Sequence, residues 1–201
     1  MDIVVASTNI HKVEEIGRII AIQGVDWLSL DSIPGMPEVI EDGATFEENA
    51  VKKARETAIF SGRWVMADDS GLEVDALDGA PGVYSARYAG EPVSYQRNNS
   101  KLMQALQGIS NRGARFVCVA ALCSPTGECR NLRGVCNGRI AETHCGEQGF
   151  GYDPLFIPDG FDCTFAEMDM AQKNAVSHRG NAFRQAAVEW RAWLQELGLL
   201  P

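Results

Sequence analysis

Hydrophobic positions alternate between short β-branched runs and segments with helical spacing along most of the chain. Residues 2–6 are apolar after the first position, and this run predicts a strand. Val13, Ile16, Ile19 and Ile20 then recur on one helix face, so a helix is expected to follow. The polar residues between the two segments break the strand and supply an N-cap, Asn9 or a neighbour.

The same two patterns predict the remaining elements. Thr45 and Glu48 form the signature of a capping box, which opens a helix that runs to about Phe60. The other expected elements are strands at 64–67, 115–122 and 155–157, a strand that ends near Ile140 after a turn at 124–127, a helix at 94–106, a helical turn at 166–170, and a last helix that follows Gly180 and carries an apolar stripe from Phe183 to Leu197.

Two adjacent carboxylates, Asp68 and Asp69, follow the predicted strand at 64–67 and precede Ser70 and Gly71. Neighbouring like charges repel, so a folded chain tolerates them best in water or around a cation. Such a pair at a strand end can hold magnesium and orient a water molecule. The alternative is a plain Asp-Ser-Gly turn, and these residues alone favour it.

The loop before the first helix is a second candidate site. A helix N-terminus presents free amide groups, and Lys12 adds a positive charge in the first turn, so residues 7–12 can bind an anion. An ordinary capped helix explains the same residues equally well. Thr45, Asn49 and Lys53 or Lys52 lie one turn apart and either line a site or form the wet face of an amphipathic helix, which is the usual case.

A glycine-rich loop at 146–154 carries Phe150 and Tyr152. It lets a flat ring approach the backbone and stack on Phe150, or it is simply a long turn.

Composition limits the possible partners. The chain has 201 residues, 45% of them hydrophobic, and a net charge of −9, so a surface that grips long nucleic acid is not expected. No apolar run predicts a membrane span, and no signal peptide is recognisable. The six cysteines form no C-x-x-C pair and are expected to be reduced, in a cytoplasmic protein. Because no linker or repeat divides the sequence, residues 1–201 are expected to form a single domain.

Six motifs together resemble the inosine/xanthosine triphosphate pyrophosphatases, which hydrolyse non-standard purine nucleoside triphosphates. Each motif is weak by itself, but their common order and spacing from Ser7 to about Ala182 are specific. The motifs are Ser7-x-Asn9-x-x-Lys12, Thr45-Phe46-x-Glu48-Asn49-Ala50-x-x-Lys53-Ala54, Ala67-Asp68-Asp69-Ser70-Gly71-Leu72, Gly79-Ala80-Pro81-Gly82-x-Tyr84-Ser85-Ala86-Arg87-Tyr88, Gly149-Phe150-Gly151-Tyr152-Asp153-Pro154 and Ser177-His178-Arg179-Gly180.

The resemblance implies an α/β fold: an elongated, mixed and bent β-sheet flanked by helices, with two lobes and a central substrate cleft. It also implies a homodimer and a Mg²⁺ requirement, for which Mn²⁺ is a possible substitute. The implied reaction converts inosine, deoxyinosine or xanthosine triphosphate to the nucleoside monophosphate and pyrophosphate.

The resemblance also assigns residues. Asp69 matches the metal-linked general base and Glu41 a metal-associated acid, while the carboxylate pair makes Asp68 a further metal ligand. Substrate contacts are assigned to Ser7, Thr8, Asn9, Ile10, His11, Lys12, Lys53, Ser70, Phe150, Gly151, Tyr152, Asp153, Lys173, His178 and Arg179. The chain departs from the family pattern at Asp42 and Lys52, which puts Glu41 and Lys53 in question.

Base selection has a physical explanation at this level. Inosine and xanthosine carry an acceptor oxygen where adenine carries a donor amine, and His178 and Arg179 can donate to that oxygen. Three alternatives are a Maf-type nucleotide pyrophosphatase, disfavoured by Ser177-His178-Arg179-Gly180, a nucleotide sensor without turnover, and an RNA-binding protein, disfavoured by the acidic charge.

Overall fold

A mixed β-sheet of six strands and five α-helices make up the computed structural model, which describes residues 1–201. The elements in chain order are β1 (Asp2–Val5), α1 (Ile10–Ile19), β2 (Asp26–Ser29), α2 (Phe46–Ser61), β3 (Trp64–Val74), α3 (Tyr95–Ala105), β4 (Gly113–Cys123), β5 (Cys129–Ile140), β6 (Phe156–Pro158), α4 (Met170–Val176) and α5 (His178–Glu196). The strand order is β2-β1-β3-β4-β5-β6. The predicted α/β class with a mixed sheet is confirmed.

Parallel pairing dominates one edge of the sheet. Strand β1 lies parallel to β2 and to β3, with Val4 opposite Leu28 and Val65, whereas β5 and β6 are antiparallel. Residues 3–5 are all buried, as expected for a β-branched run inside a parallel sheet. Strand β2 escapes sequence-based prediction because its four residues, two of them polar, show neither alternation nor β-branching.

The predicted capping of α2 is confirmed. Thr45 accepts a hydrogen bond from the Glu48 amide, and the Glu48 carboxylate accepts one from the Thr45 amide. The helix ends at Gly62, which adopts the left-handed conformation (φ 66°) that glycine tolerates without strain.

The turn predicted at Asp68-Asp69-Ser70-Gly71 is wrong. These residues lie within β3, which continues through Leu72 to Val74. Charged side chains are normally unfavourable in the interior of a buried strand. Here cations and an amide from neighbouring elements compensate the two carboxylates, as described below. Since the compensating groups are distant in sequence, local turn chemistry is misleading at this position.

Two boundaries near the C-terminus also differ from expectation. The helical turn predicted at 166–170 is a short 3₁₀ turn at Phe165–Glu167, followed by α4. The last helix begins at His178, so His178 and Arg179 lie in its first turn rather than in a preceding loop. Gly180 disfavours a helix by propensity, but its burial in a packed segment outweighs this preference.

The chain contains two compact units, each with its own core. The first unit comprises residues 1–69, 118–134 and 179–201, and its core includes Ile3, Ile16, Met66, Phe183 and Trp190. The second unit comprises residues 70–117 and 135–178, and its core includes Leu72, Leu102, Phe116, Phe156 and Phe165.

The prediction that all six cysteines are reduced is wrong for one pair. Cys123 and Cys129 form a disulfide, with their Cα atoms 4.1 Å apart across the hairpin of β4 and β5. The hairpin turn at 124–127 brings the two residues together, which spacing alone did not indicate. Cys118 and Cys136 are buried free thiols, and burial raises the pKa of each to about 12. No helix has the length and apolar character needed to cross a membrane.

Candidate functional site

The loop that opens α1 is already organised by its own cap. Asn9 Oδ1 accepts hydrogen bonds from the amides of His11 (3.1 Å) and Lys12 (3.3 Å), and Ser7 Oγ accepts one from the Asn9 amide (3.3 Å). The expectation that the first amides of this helix are free is therefore wrong for His11 and Lys12. The exposed residues Thr8 and Ile10 lie in the same segment.

A buried carboxylate–cation network lies beside this loop, within the first unit. It consists of Lys12, Glu15, Asp68 and Arg179. Lys12 Nζ lies 3.1 Å from Asp68 Oδ2, Arg179 Nη2 lies 3.6 Å from the same oxygen, and Arg179 Nη1 donates to Glu15 Oε2. The Cys118 thiol is 3.9 Å from Asp68 Oδ2. The two positive and two negative side chains make the network electrically neutral.

Electrostatics keep this network ionised despite its burial. Desolvation alone would raise the pKa of Asp68, but Lys12, Arg179 and Lys53 hold it well below its ordinary range. Desolvation also disfavours the charged form of Arg179, but Asp68 and Glu15 stabilise that form, and the pKa of Arg179 is raised. Desolvation lowers the pKa of Lys12, but Asp68 and Asp69 act together in the opposite direction, and the pKa is raised.

Asp69 has different hydrogen-bond partners from its neighbour Asp68. Asn49 of α2, which is only 1% exposed, donates to Asp69 Oδ2 at 3.0 Å. Burial raises the pKa of Asp69, although Lys12 and Lys53 act in the opposite direction. Asn49 is thus buried against a candidate site residue, and the wet-face interpretation of the Thr45–Asn49–Lys53 stripe is wrong for it.

The two departures from the family pattern compensate each other. Lys52 Nζ donates to Asp42 Oδ1 at 2.6 Å on the surface, where the pair lowers the pKa of Asp42. Next to it, Lys53 Nζ donates to Glu41 Oε1 at 3.0 Å. Each unusual residue has the other as its partner, so the Glu41–Lys53 pair is left intact.

The carboxylates fit a magnesium ion that takes only two protein ligands. No cluster of three His, Cys, Asp or Glu side chains suited to a metal is present in residues 1–201. Magnesium, however, usually binds through one or two carboxylates together with water and substrate phosphates. Asp68 Oδ1 is buried and has no hydrogen-bond partner, and Asp69 offers a second oxygen donor in the adjacent position.

A second group of predicted residues lies in the second unit, in a segment that we call the aromatic loop (residues 150–153). Asp153 Oδ2 accepts hydrogen bonds from the Phe150 amide (2.8 Å) and from Lys173 Nζ (2.6 Å). Gly149 precedes the loop because any side chain there would collide with the Asp153 carboxylate. Asp153 and Lys173, which the family resemblance assigns to substrate binding, contact each other, and their contact with substrate stays a prediction.

Phe150 is half-buried and has cationic and aromatic neighbours. The Lys173 ammonium lies 5.1 Å from the centre of its ring, and the Tyr95 ring centre lies 6.1 Å away at an angle of 43°. Tyr152 is buried, and its hydroxyl donates to the Ser85 carbonyl at 2.9 Å. The loop is therefore fixed at several points, as a binding surface requires.

The remaining predicted residues lie at the start of α5 and in the middle of β3. His178 is buried and stacks on Phe116, with ring centres 4.6 Å apart and an interplanar angle of 11°. Ser70 is half-buried in β3. The contacts of Arg179 described above are with carboxylates, so its role in reading the base stays a prediction.

Four residues that contact these two groups were not assigned from the sequence: Glu15, Asn49, Cys118 and Asn99, whose Nδ2 donates to the Gly151 carbonyl of the aromatic loop at 3.0 Å. Glu15 and Cys118 carry no local signal, because a glutamate in a helix is normally solvated and a cysteine in an apolar strand normally packs as a hydrophobe. Asn49 was noted as part of a polar stripe and of one family motif, without an assigned role. Its burial depends on the Asp69 carboxylate, which comes from another element.

Together, the fold and the site define a class: mixed α/β proteins in which a capped loop–helix segment carries a lysine that contacts one of two adjacent carboxylates on a central strand. A model described as the Ham1 family matches residues 3–189, and the chain belongs to the Ham1 family. A dITP/XTP pyrophosphatase from Desulforamulus reducens is 50% identical over 188 residues, covering 92% of this chain and 94% of that protein.

Solved structures of Ham1 proteins are also similar to this chain. The Staphylococcus aureus Ham1 protein has a TM-score of 0.86 and 40% identity, covering 98% of this chain and 99% of that one. A HAM1 protein from Coxiella burnetii has a TM-score of 0.88 and 38% identity, covering 94% and 98%. The resemblance inferred from the six motifs is confirmed.

Proposed function

We propose that this protein hydrolyses non-standard purine nucleoside triphosphates, namely inosine, deoxyinosine and xanthosine triphosphates, to the monophosphate and pyrophosphate. The observation that carries the proposal is the 50% identity to a dITP/XTP pyrophosphatase over nearly the full length of both chains. The contacts described above support it, because they bring cations and carboxylates together around Asp68 and hold the loop that carries Phe150.

The first unit supplies the groups that suit a triphosphate. A nucleoside triphosphate brings about four negative charges, which fixed cations and oriented amides must stabilise. Lys12 and the segment 7–12 lie beside Asp68, and Lys53 lies on the helix that carries Asn49. We assign the phosphate contacts to these residues.

Asp68 and Asp69 would hold Mg²⁺, with Mn²⁺ as a possible substitute. When bound, the ion supplies charge neutralisation and a polarised phosphoryl oxygen. Asp69 is the proposed general base: its raised pKa favours proton acceptance from water, and Asn49 fixes the orientation of its carboxylate. The Glu41–Lys53 pair positions a further carboxylate near the same residues, since Glu41 contributes to the raised pKa of Asp69.

A further set of the predicted residues suits a purine base. Phe150 offers a ring for stacking, and its loop is held by the buried Asp153–Lys173 pair. His178 and Arg179 remain the proposed donors to the oxygen that distinguishes inosine and xanthosine from adenosine. A pocket built to pair that oxygen leaves its donors unsatisfied when adenine enters, which is costly.

A substrate panel tests the proposal. Pyrophosphate release is measured with magnesium and inosine, deoxyinosine, xanthosine, adenosine or guanosine triphosphate. We expect kcat/KM to be at least about 100-fold higher for the three non-standard nucleotides. Equal rates with adenosine and guanosine triphosphates would refute the assigned specificity, and binding without turnover would identify a sensor instead of an enzyme.

The family resemblance also supports two finer proposals. One is a homodimeric assembly. The other is a cytoplasmic location, where nucleotide pools are used, although the Cys123–Cys129 disulfide weighs against a reducing compartment.

A further inference from the structure

We propose that Asn99 and Tyr95 of α3 are positioning residues that fix the aromatic loop in the conformation that binds the purine base. This inference rests on the function proposed above and adds to it a specific support for Phe150. Neither residue belongs to the six motifs as quoted, and both are identified by their contacts with the loop.

Asn99 is 4% exposed, and its side chain meets the loop directly. Its Nδ2 donates to the Gly151 carbonyl at 3.0 Å, while its Oδ1 is buried without a hydrogen-bond partner. Burying an amide that is only half satisfied opposes folding. The hydrogen bond that the Asn99 amide does make holds the peptide that joins Gly151 to Tyr152.

Tyr95 lies one helical turn before Asn99, so both side chains share one face of α3. Its ring centre is 6.1 Å from that of Phe150, a tilted arrangement within the range of favourable aromatic pairs. Tyr95 is 37% exposed, so it contributes little to the core of the second unit. Its ring therefore supports Phe150 from the side of the helix.

The other hydrogen bonds of the loop involve the residues on either side of Gly151, among them the bond from the Asp153 amide to the Phe150 carbonyl at 3.2 Å. Asp153 holds the Phe150 amide, and the Tyr152 hydroxyl is bound to the Ser85 carbonyl. Between these two points, Gly151 has a φ of 63° and, as a glycine, rotates easily. Asn99 restrains this peptide and Tyr95 restrains the Phe150 ring, so the stacking surface exists before the base arrives. Such pre-organisation lowers the entropic cost of binding.

The expected kinetic signature is a change in KM. With inosine triphosphate and magnesium, Asn99→Ala should raise KM about tenfold, the effect of losing one positioned hydrogen bond, while kcat changes by less than about threefold. Ser100→Ala is the matched control, since Ser100 is the next residue of the same helix and is exposed. The control should behave as the wild type.

A double-mutant cycle distinguishes positioning from general stability. If Asn99 acts through Phe150, Asn99→Ala should add less than about twofold to KM in a Phe150→Ala background. Tyr95→Ala should likewise raise KM. Tyr95→Phe keeps the ring and should have the KM of the wild type. Because Tyr95 is partly exposed, its variants decide the question if Asn99→Ala fails to fold.

The outcomes separate this inference from the proposed function. If the wild type releases no pyrophosphate from inosine triphosphate, the proposed function fails. If the wild type is active but Asn99→Ala and Tyr95→Ala match Ser100→Ala, only the positioning role is overturned. Independent effects of Asn99→Ala and Phe150→Ala in the cycle would overturn it as well.

Discussion

Lys12 Nζ lies 3.1 Å from Asp68 Oδ2, so the lysine assigned to the triphosphate is paired with a carboxylate assigned to the metal. The pair is part of the neutral carboxylate–cation network, in which Arg179 also contacts Asp68 and Glu15. A triphosphate that contacts Lys12 must therefore share or replace Asp68 as its partner. Magnesium would bind the other oxygen of Asp68, Oδ1. We therefore expect magnesium and the triphosphate each to increase the affinity of the protein for the other.

Glu15 should be important for stability. Glu15→Gln leaves Arg179 buried with less compensating charge, so the free energy of unfolding should fall by about 3 kcal/mol, as for other broken buried pairs. Glu14→Gln on the exposed side of α1 is the control and should change it by less than about 0.5 kcal/mol. Urea denaturation measures both variants, and equal stability of the two would contradict the role of the network.

Asp69 should be essential for turnover. Asp69→Asn keeps the shape of the side chain but removes its basicity, so kcat should fall at least about 100-fold while nucleotide binding survives. Steady-state kinetics and equilibrium binding of inosine triphosphate check the two parts. Near-normal kcat in Asp69→Asn would refute the general-base assignment. The comparison variant, Asp68→Asn, should act more through metal affinity and raise the magnesium concentration needed for half-maximal activity.

Metal dependence follows from the oxygen donors at the site. Excess chelator should abolish pyrophosphate release, and magnesium should restore it, with manganese as a partial replacement. Full activity in excess chelator would exclude the proposed role of Asp68 and Asp69 as metal ligands.

Phe150 and Arg179 should affect specificity differently. Phe150→Ala should weaken all purine triphosphates alike, mainly through KM, since stacking does not distinguish purines. Arg179→Ala should lower kcat/KM for inosine triphosphate more than for adenosine triphosphate. The variant also leaves Glu15 and Asp68 without their shared cation, so less protein will be folded. The ratio of the two kcat/KM values is independent of the folded fraction and is the quantity to measure. An unchanged ratio would show that Arg179 holds phosphate or structure.

Sequence patterns predicted those parts of the fold whose cause is local. The capping box at Thr45 and Glu48 involves residues three positions apart, and the β-branched run of β1 is buried as a run. Chemistry between distant elements was not predictable in this way. Asp68 and Asp69 suggest a turn until Lys12, Arg179 and Asn49 are known to surround them.

The same distinction applies to the candidate site. The motifs placed Asp69, Lys12 and Phe150 in roles through family resemblance, but they did not indicate which residues hold these side chains. Glu15 is 164 positions from Arg179, and Asn99 is 52 positions from Gly151, so no local pattern connects them. The disulfide of Cys123 and Cys129 likewise required the hairpin geometry.

The products of a single turnover test the central claim most directly. Deoxyinosine triphosphate is incubated with the protein and magnesium, and the products are resolved by phosphorus NMR. The account predicts deoxyinosine monophosphate and pyrophosphate in equal amounts, both absent with Asp69→Asn. Deoxyinosine diphosphate with inorganic phosphate, or equal product formation by Asp69→Asn, would contradict it.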